Sequence, residues 1–439
     1  MKRSILLLLL MSMGSLASGQ FSAEVVKSFA LDNGMKILVY EDHSIPNANM
    51  YLFYRVGSRN EYPGITGLSH FFEHMMFNGA KKYGPKEFDR VMEASGGSNN
   101  AYTTNDVTVY TDWFPTKSLE VIFDLEADRI GNLAIDPGMV ESERGVVLSE
   151  RSTGLENSNF ERLSTQVHAA AFFAHPYKWP VIGYESDIKS WTQADLEWYF
   201  KTYYAPNNCV VVIAGDVQLE TVKALAQKYF SPLAAQPAPA PLRTVEPPQE
   251  GLKRVTVLKD VSTPNLEIVH HVPQASHPDY YALDMLNAIL SSGPSSRLQK
   301  SLVFEQELAT EIWTYMPASM DPDLFVTFAV AADGVDAGKL ESAILNEIDR
   351  IVREGVTDAE LRKVKNQKSM EFYRSIETIN GKANSLGTFE LFFGDYKRMF
   401  EAPALYEKVT REDIQRVAAT YFIEKNRTIG YLMPEEKKP

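Results

Sequence analysis

Apolar runs early in the chain are cut at short intervals by turn formers, and their period shifts between two and nearly four. Residues 29–31 and 35–40 flank Asn33-Gly34, a dipeptide suited to a tight hairpin turn, so two antiparallel strands are expected there. Residues 49–57 read as a third strand. Residues 98–114 alternate and are rich in Thr, Val and Tyr, which predicts a single strand. The helical period governs part of the stretch 67–79, then 85–94, 117–132, 138–152, 160–173 and 192–204. Residues 209–216 form an unbroken apolar run of the kind a buried strand shows.

The pattern then starts again. Thr192, Asp195, Leu196, Thr202, Tyr203, Tyr204 and Asn208 are matched, at one constant offset, by Thr410, Asp413, Ile414, Thr420, Tyr421, Phe422 and Asn426. Pro46-Asn47 and Pro264-Asn265 share that offset, each between strand-like runs. Such self-similarity marks a duplicated module of about 200 residues. Residues 234–250 are rich in Pro and Ala and read as an extended linker between the copies. The resulting division is 1–19 leader, 20–233 first module, 234–250 linker and 251–439 second module.

Composition narrows the partners. The net charge of −13 over 439 residues argues against nucleic-acid binding and allows attraction of basic partners. The single cysteine, Cys209, cannot form an intrachain disulfide; inside its apolar run it reads as a strand residue with no catalytic role. The start of the chain has a basic Lys2-Arg3, a short apolar stretch and a small-residue zone, with cleavage fitting after Ala17 or Gly19. This is the pattern of a bacterial export leader, and it predicts a periplasmic or secreted protein. The apolar stretch is too short for a stable membrane anchor, and no other stretch approaches transmembrane length.

Chemistry concentrates in His70-Phe71-Phe72-Glu73-His74. Two imidazoles four residues apart fall on one helix face, and Glu73 projects to the same side, in the inverted H-x-x-E-H order of zinc hydrolases. The competing reading is a buried helix whose histidines satisfy core hydrogen bonds. The counterpart segment of the second module, Tyr281 to Leu290, has no histidine, so these residues are not needed to build the module. Two histidines leave a zinc site short of a ligand. Glu143 and Glu150, seven residues apart, share one face of the 138–152 helix; spacing alone does not separate a ligand from a solvated acidic face.

These motifs, with Gly57-Ser-Arg-Asn-Glu61, Asn100-Ala-Tyr-Thr103, Glu143-Arg144, Val147 and His175-Pro-Tyr177, closely resemble the pitrilysin family of inverzincin peptidases, which includes the mitochondrial processing peptidase. The resemblance implies an α+β fold of two homologous modules, each a mainly antiparallel sheet flanked by helices. It implies one Zn2+ held by His70, His74 and Glu150, Glu73 as general base, and Glu143 orienting the site. It also implies that Asn100, Ala101 and Tyr102 lie on an edge strand that binds extended peptides, with His175 in a structural role.

Active family members also carry an arginine and a tyrosine in the second half that bind substrate. The arginine's context is present at Arg297, but Thr310 stands where the tyrosine is expected. Tyr315 lies five residues on, which in a regular strand points to the opposite face. The pair therefore reads as incomplete, and a paralogous subunit with a full pair is the expected partner, a homodimer being the other arrangement. A non-catalytic assembly subunit that retains a metal is the alternative function. A lyase resembling this family in fold and motif, such as S-ribosylhomocysteine lyase, fits poorly with the duplication, leader and length.

Overall fold

In the computed structural model, which describes residues 23–435, the Asn33-Gly34 turn joins β1 (Val26–Ala30) to β2 (Lys36–Glu41) as an antiparallel hairpin. Gly34 takes φ +86°, and the Asn33 side chain accepts from the Met35 amide at 3.1 Å. The first sheet also holds β3 (Asn47–Tyr54), β4 (Ser98–Thr103), β5 (Thr108–Pro115) and β6 (Cys209–Gly215), in the order β1-β2-β6-β3-β5-β4. Residues 98–114 thus form a hairpin rather than the single expected strand. Thr104 bends the chain: its hydroxyl accepts from the Asp106 and Val107 amides, and its own amide donates to the Val107 carbonyl at 2.8 Å. Buried Cys209 begins β6.

The second sheet runs β7-β11-β8-β10-β9, from β7 (Lys253–Lys259), β8 (Asn265–Val272), β9 (Ala309–Tyr315), β10 (Asp323–Ala331) and β11 (Arg427–Pro434). Each sheet is antiparallel except for one parallel pair, β2–β6 and β7–β11. The molecule is therefore an α+β protein with two such sheets, each flanked by helices. The offset seen in the sequence reappears in the strands: it separates the start of β3 at Asn47 from that of β8 at Asn265, and the start of β6 at Cys209 from that of β11 at Arg427. Thr192 and Thr410 each begin a helix with a capping box, closed by Asp195 and Asp413. Residues 232–252 contain no helix or strand.

The two halves exchange a helix. Asn159–Ala171, from the first half, packs Leu163, Val167 and Ala171 on the second sheet against Val269, Val326 and Phe328. Ile379–Phe392, from the second half, packs Ile379, Ala383 and Leu386 on the first sheet against Leu38, Phe53 and Val210. Contact is close at both: a Cβ on Gly387 would lie 2.0 Å from Phe53, and one on Gly430 2.2 Å from Val167. No described helix is long and apolar enough to cross a membrane.

Where Glu150 stands in the first half, the same offset leads to Lys368 in the second. Its ammonium lies 2.9 Å from Asp284 on the Tyr280–Ser291 helix, and the Tyr406 hydroxyl donates to the same carboxylate at 2.6 Å.

The helix exchange also buries a carboxyl. Glu267 in β8 is fully buried on the face that receives Asn159–Ala171, and neither oxygen has a hydrogen bond of good geometry. Burial pushes it up to about 8, with only the Ser164 hydroxyl acting the other way. Between about pH 4.5 and 8 the folded chain therefore holds a proton that the unfolded chain releases, and stability falls as pH rises through that window. Replacing Glu267 with Gln should stabilise the protein at pH 8 by about 1–3 kcal/mol, with the gain vanishing near pH 4.5. Urea unfolding at the two pH values tests this; an equal effect at both would remove the carboxyl from the pH dependence.

Candidate metal centre

The helix Leu68–Met75 reads Leu-Ser-His-Phe-Phe-Glu-His-Met. Leu68, Phe71, Phe72 and Met75 follow the i, i+3, i+4, i+7 spacing, and all four are fully buried against β-sheet and helix side chains. The same period leaves His70, Glu73 and His74 together on the other face, all partly exposed. The N-terminus of this helix is held by buried Glu61, whose carboxylate accepts from the Gly67 and Ser69 amides at 2.7 and 2.8 Å. Burial pushes Glu61 up to about 8, against the pull of those two amides. Gly67 has φ +90°, and a Cβ there would meet the Ile182 carbonyl at 2.5 Å.

Glu150 reaches this face from the helix Pro137–Asn157. His70 Nε2 lies 3.7 Å from Glu150 Oε1, and His74 Nε2 lies 3.4 Å from Glu150 Oε2. The three ligand atoms all fall within 4.8 Å of one another, the one such cluster among the described residues. Ligands about 2.0–2.1 Å from a tetrahedral zinc are separated by about 3.4 Å, so this donor set and spacing fit the ion. Burial, reinforced by neighbouring His74, pushes His70 down to about 4, leaving it neutral with a free lone pair.

His74 Nδ1 donates to Glu143 Oε1 at 2.8 Å, and Asn78 donates to Glu143 Oε2 at 2.7 Å. That bond fixes the tautomer with Nε2 unprotonated, the arrangement a metal-binding imidazole uses. Burial opposes charge on His74, but the Glu143 bond and surrounding carboxylates outweigh it and raise its pKa. The same bond lowers Glu143.

Glu73 accepts from the Thr103 hydroxyl at 2.5 Å. Its pKa is raised by burial, partly offset by Thr103. Glu73 thus lies on the same helix face as the two imidazoles, with one oxygen held by Thr103. A cleft of about 450 Å³ opens beside His70 and Glu150 of the cluster, lined also by Thr103, Trp179, Ile182 and His168 among others.

Thr103 belongs to β4, which is an edge of the first sheet. Asn100, Ala101 and Tyr102 pair inward with Thr111, Tyr110 and Val109, and their outer edge has no partner strand among the described residues. The Tyr102 hydroxyl donates to Asn384 of the exchanged helix at 3.3 Å.

Arg297 is not drawn into this cleft. Its Nε and Nη2 donate to Glu360 at 2.7 and 3.0 Å, and Nη2 also to the Gly355 carbonyl at 3.0 Å. Thr310 and Tyr315 both lie on β9 and are both exposed. Tyr315 does not point to the face opposite Thr310, although regular alternation predicts that it would. Val330 faces Glu311 while Ala331 faces Ala309, so Thr310 is the extra residue of a β-bulge. The bulge reverses the alternation, and Thr310 and Tyr315 share the face away from core residues Ala309 and Ile312. His175 lies outside the donor cluster; its Nε2 is 3.3 Å from Asp321.

Three residues that matter here carried weak sequence signals. Thr103 and Glu61 stood in recognised motifs but without a role, and Asn78 stood in none.

Residues 36–184 match the family model of insulinase, peptidase family M16, and residues 190–368 match the model of the peptidase M16 inactive domain. The zinc protease PqqE of Helicobacter pylori is 30% identical over 436 residues, 97% of each chain. A probable mitochondrial-processing peptidase subunit beta of Arabidopsis thaliana is 26% identical across 95% of this chain and 80% of that protein. The crystal structure of a protease from Helicobacter pylori superposes with a TM-score of 0.90 at 30% identity, over 93% of this chain and 99% of that one. The chain belongs to peptidase family M16, whose curated relatives are named zinc proteases.

Two substitutions separate ligand from support. Glu150→Gln should weaken zinc binding by about 100-fold or more, and Glu143→Gln by about 10–100-fold, measured against a competing chelating dye. Unchanged affinity in the Glu150 variant would remove it from the donor set.

Proposed function

We propose that the chain is a zinc-dependent endopeptidase that hydrolyses extended peptides, with one Zn2+ held by His70, His74 and Glu150 and with Glu73 as the general base. The observation that carries this reading is the convergence of three donor atoms within 4.8 Å, with Glu73 on the same helix face and an open cleft before them. A zinc ion held there would polarise a peptide carbonyl and acidify a water molecule. Glu73 takes the proton from that water and delivers it to the leaving amine, which its raised pKa suits. Thr103 holds one Glu73 oxygen and leaves the other free to receive the proton. His74 is kept in the ligating tautomer by Glu143.

Substrate binds by strand addition in this proposal. The open edge of β4 offers main-chain groups at Asn100, Ala101 and Tyr102 beside Thr103, so an extended peptide can pair there and pass in front of Glu73. Main-chain pairing reads little of the side chains, which favours broad specificity.

A paralogous subunit completes the site. Arg297 is committed to Glu360, away from the cleft, and Thr310 replaces the tyrosine, so this chain does not bring an Arg/Tyr pair to its own donor cluster. A relative of this chain is named a subunit of its peptidase, which agrees with pairing. Residues 1–19, which lie outside the described residues, carry the pattern of an export leader, and the proposal therefore includes action in the periplasm or outside the cell. An assembly subunit that merely retains a metal has no use for a carboxylate placed like Glu73.

Glu73→Gln should keep its zinc and lose about 10²–10⁴-fold in hydrolysis of quenched fluorescent peptides. Near-normal cleavage by that variant would refute the base. The wild-type chain assayed alone and with its nearest encoded paralogue tests pairing: the paralogue should raise activity severalfold, and full activity of the lone chain would sink the partner.

A further inference from the structure

The motif loop Gly57-Ser-Arg-Asn-Glu61 has two charged side chains that point to different places. Glu61 caps the helix that carries His70, Glu73 and His74. Arg59 crosses to the second half, where Nε donates to Asp321 Oδ2 at 2.9 Å and Nη2 bonds the same oxygen. Arg59 also lies 3.3 Å from Asp106 in the turn after β4. That turn grips the second half as well, because the Met320 amide donates to Asp106 at 3.1 Å and the Asp321 amide donates to the Tyr177 hydroxyl at 3.3 Å. Tyr177 in turn donates to Asp106 at 2.6 Å, and His175 Nε2 meets Asp321 at 3.3 Å.

The two loops are also joined directly. The Arg59 amide donates to the Asn105 carbonyl at 2.9 Å, and the Ser58 hydroxyl donates to the Asn105 side chain at 3.0 Å. One of these loops ends at the helix N-terminus. The other begins one residue after Thr103, which holds Glu73. The segment Met320–Asp321 therefore bonds to both loops, at Arg59 and at Asp106, and it belongs to the other half of the molecule.

We infer that Arg59 and Asp321 are positioning residues: their ion pair ties the second half to the two loops that set the metal helix and the base. This rests on the peptidase reading for its catalytic readout, but its metal readout does not. Neither residue touches substrate or metal; each acts through Glu61 and Thr103. Arginine suits the task because two nitrogens of its planar fork bond Asp321 while Nε stays 3.3 Å from Asp106, a fixed orientation that a single ammonium does not impose. The pair is partly buried, at 18% and 29% exposed, so it is less screened than a surface pair.

A control lies in the same molecule. Lys36 on β2 pairs with Glu390 on the exchanged helix at 2.6 Å, and so joins the halves without touching either loop. Asp321→Asn, Arg59→Gln and Lys36→Met should each lower the melting temperature. With zinc-loaded full-length protein, assayed with its paralogue if wild type requires it, the first two should lower kcat by about tenfold or more with KM changed less than about threefold. They should also release zinc to a chelating dye about fivefold faster. Arg59→Lys should recover part of each loss, and Lys36→Met should leave kcat and zinc release within about twofold of wild type.

Two results overturn the inference. One is kcat and zinc release unchanged in the Arg59 and Asp321 variants despite a lower melting temperature, which would make the pair simple glue. The other is an equal loss in Lys36→Met, which would make any loosening of the halves sufficient. If wild type with zinc and paralogue cleaves nothing, the peptidase reading fails, while the zinc-release comparison still decides the role of the pair.

Discussion

An eight-residue helix is too short to hold itself in water, yet Leu68–Met75 must hold three chemical groups in register. Its stability is therefore borrowed from packing. Four apolar side chains anchor one face, and the buried Glu61 side chain holds the first turn by accepting from the Gly67 and Ser69 amides, which have no partner inside the helix. The site depends on this constraint more than on any single ligand. A helix rotated by one residue, about 100°, would swing His70 and His74 toward Phe71 and Phe72 and their buried neighbours. The apolar period that buries the helix thus also aims the donors.

Duplication supplied the frame and then allowed the halves to diverge. Both keep the same strand order around β3 and β8, and both keep the Thr/Asp capping boxes. At the position of Glu150 the second half has Lys368, held by Asp284. In the first half two imidazoles and a carboxylate leave room for a cation between the helices. In the second, an ammonium fixed to the chain meets a carboxylate directly. The Lys368–Asp284 pair is mostly buried, so each charge there is compensated by the other, whereas Glu150 is about half exposed, at 49%.

Local patterns were legible in the sequence, and long-range pairings were not. The Asn33-Gly34 hairpin, the metal helix and the constant-offset repeat each depend on neighbours in sequence or on self-comparison. The turn at Thr104 was hidden because threonine fits a strand as well as it fits a turn made by its own hydroxyl. The exchange of helices Asn159–Ala171 and Ile379–Phe392 left no mark, because an amphipathic stripe does not say which sheet it will cover. The bulge at Thr310 inverted an inference drawn from strict alternation. The supports of the site, Glu61 and Thr103, lie 6 to 30 residues from the groups they hold, and nothing but the folded chain joins them.

The commitment of Arg297 to Glu360 bears on how the site is completed. Glu360 is held well down, to about 2; burial works against this, but Arg297 and the Thr357 amide outweigh it. Thr357 and Glu360 also close the capping box that starts the Asp358–Ser375 helix. Drawing Arg297 toward a substrate would leave Glu360 partly buried without its counterion and would disturb that cap. The resulting cost makes a swing of this side chain toward the donor cluster of its own chain unfavourable. A second chain that presented its groups across the open cleft would have no such cost.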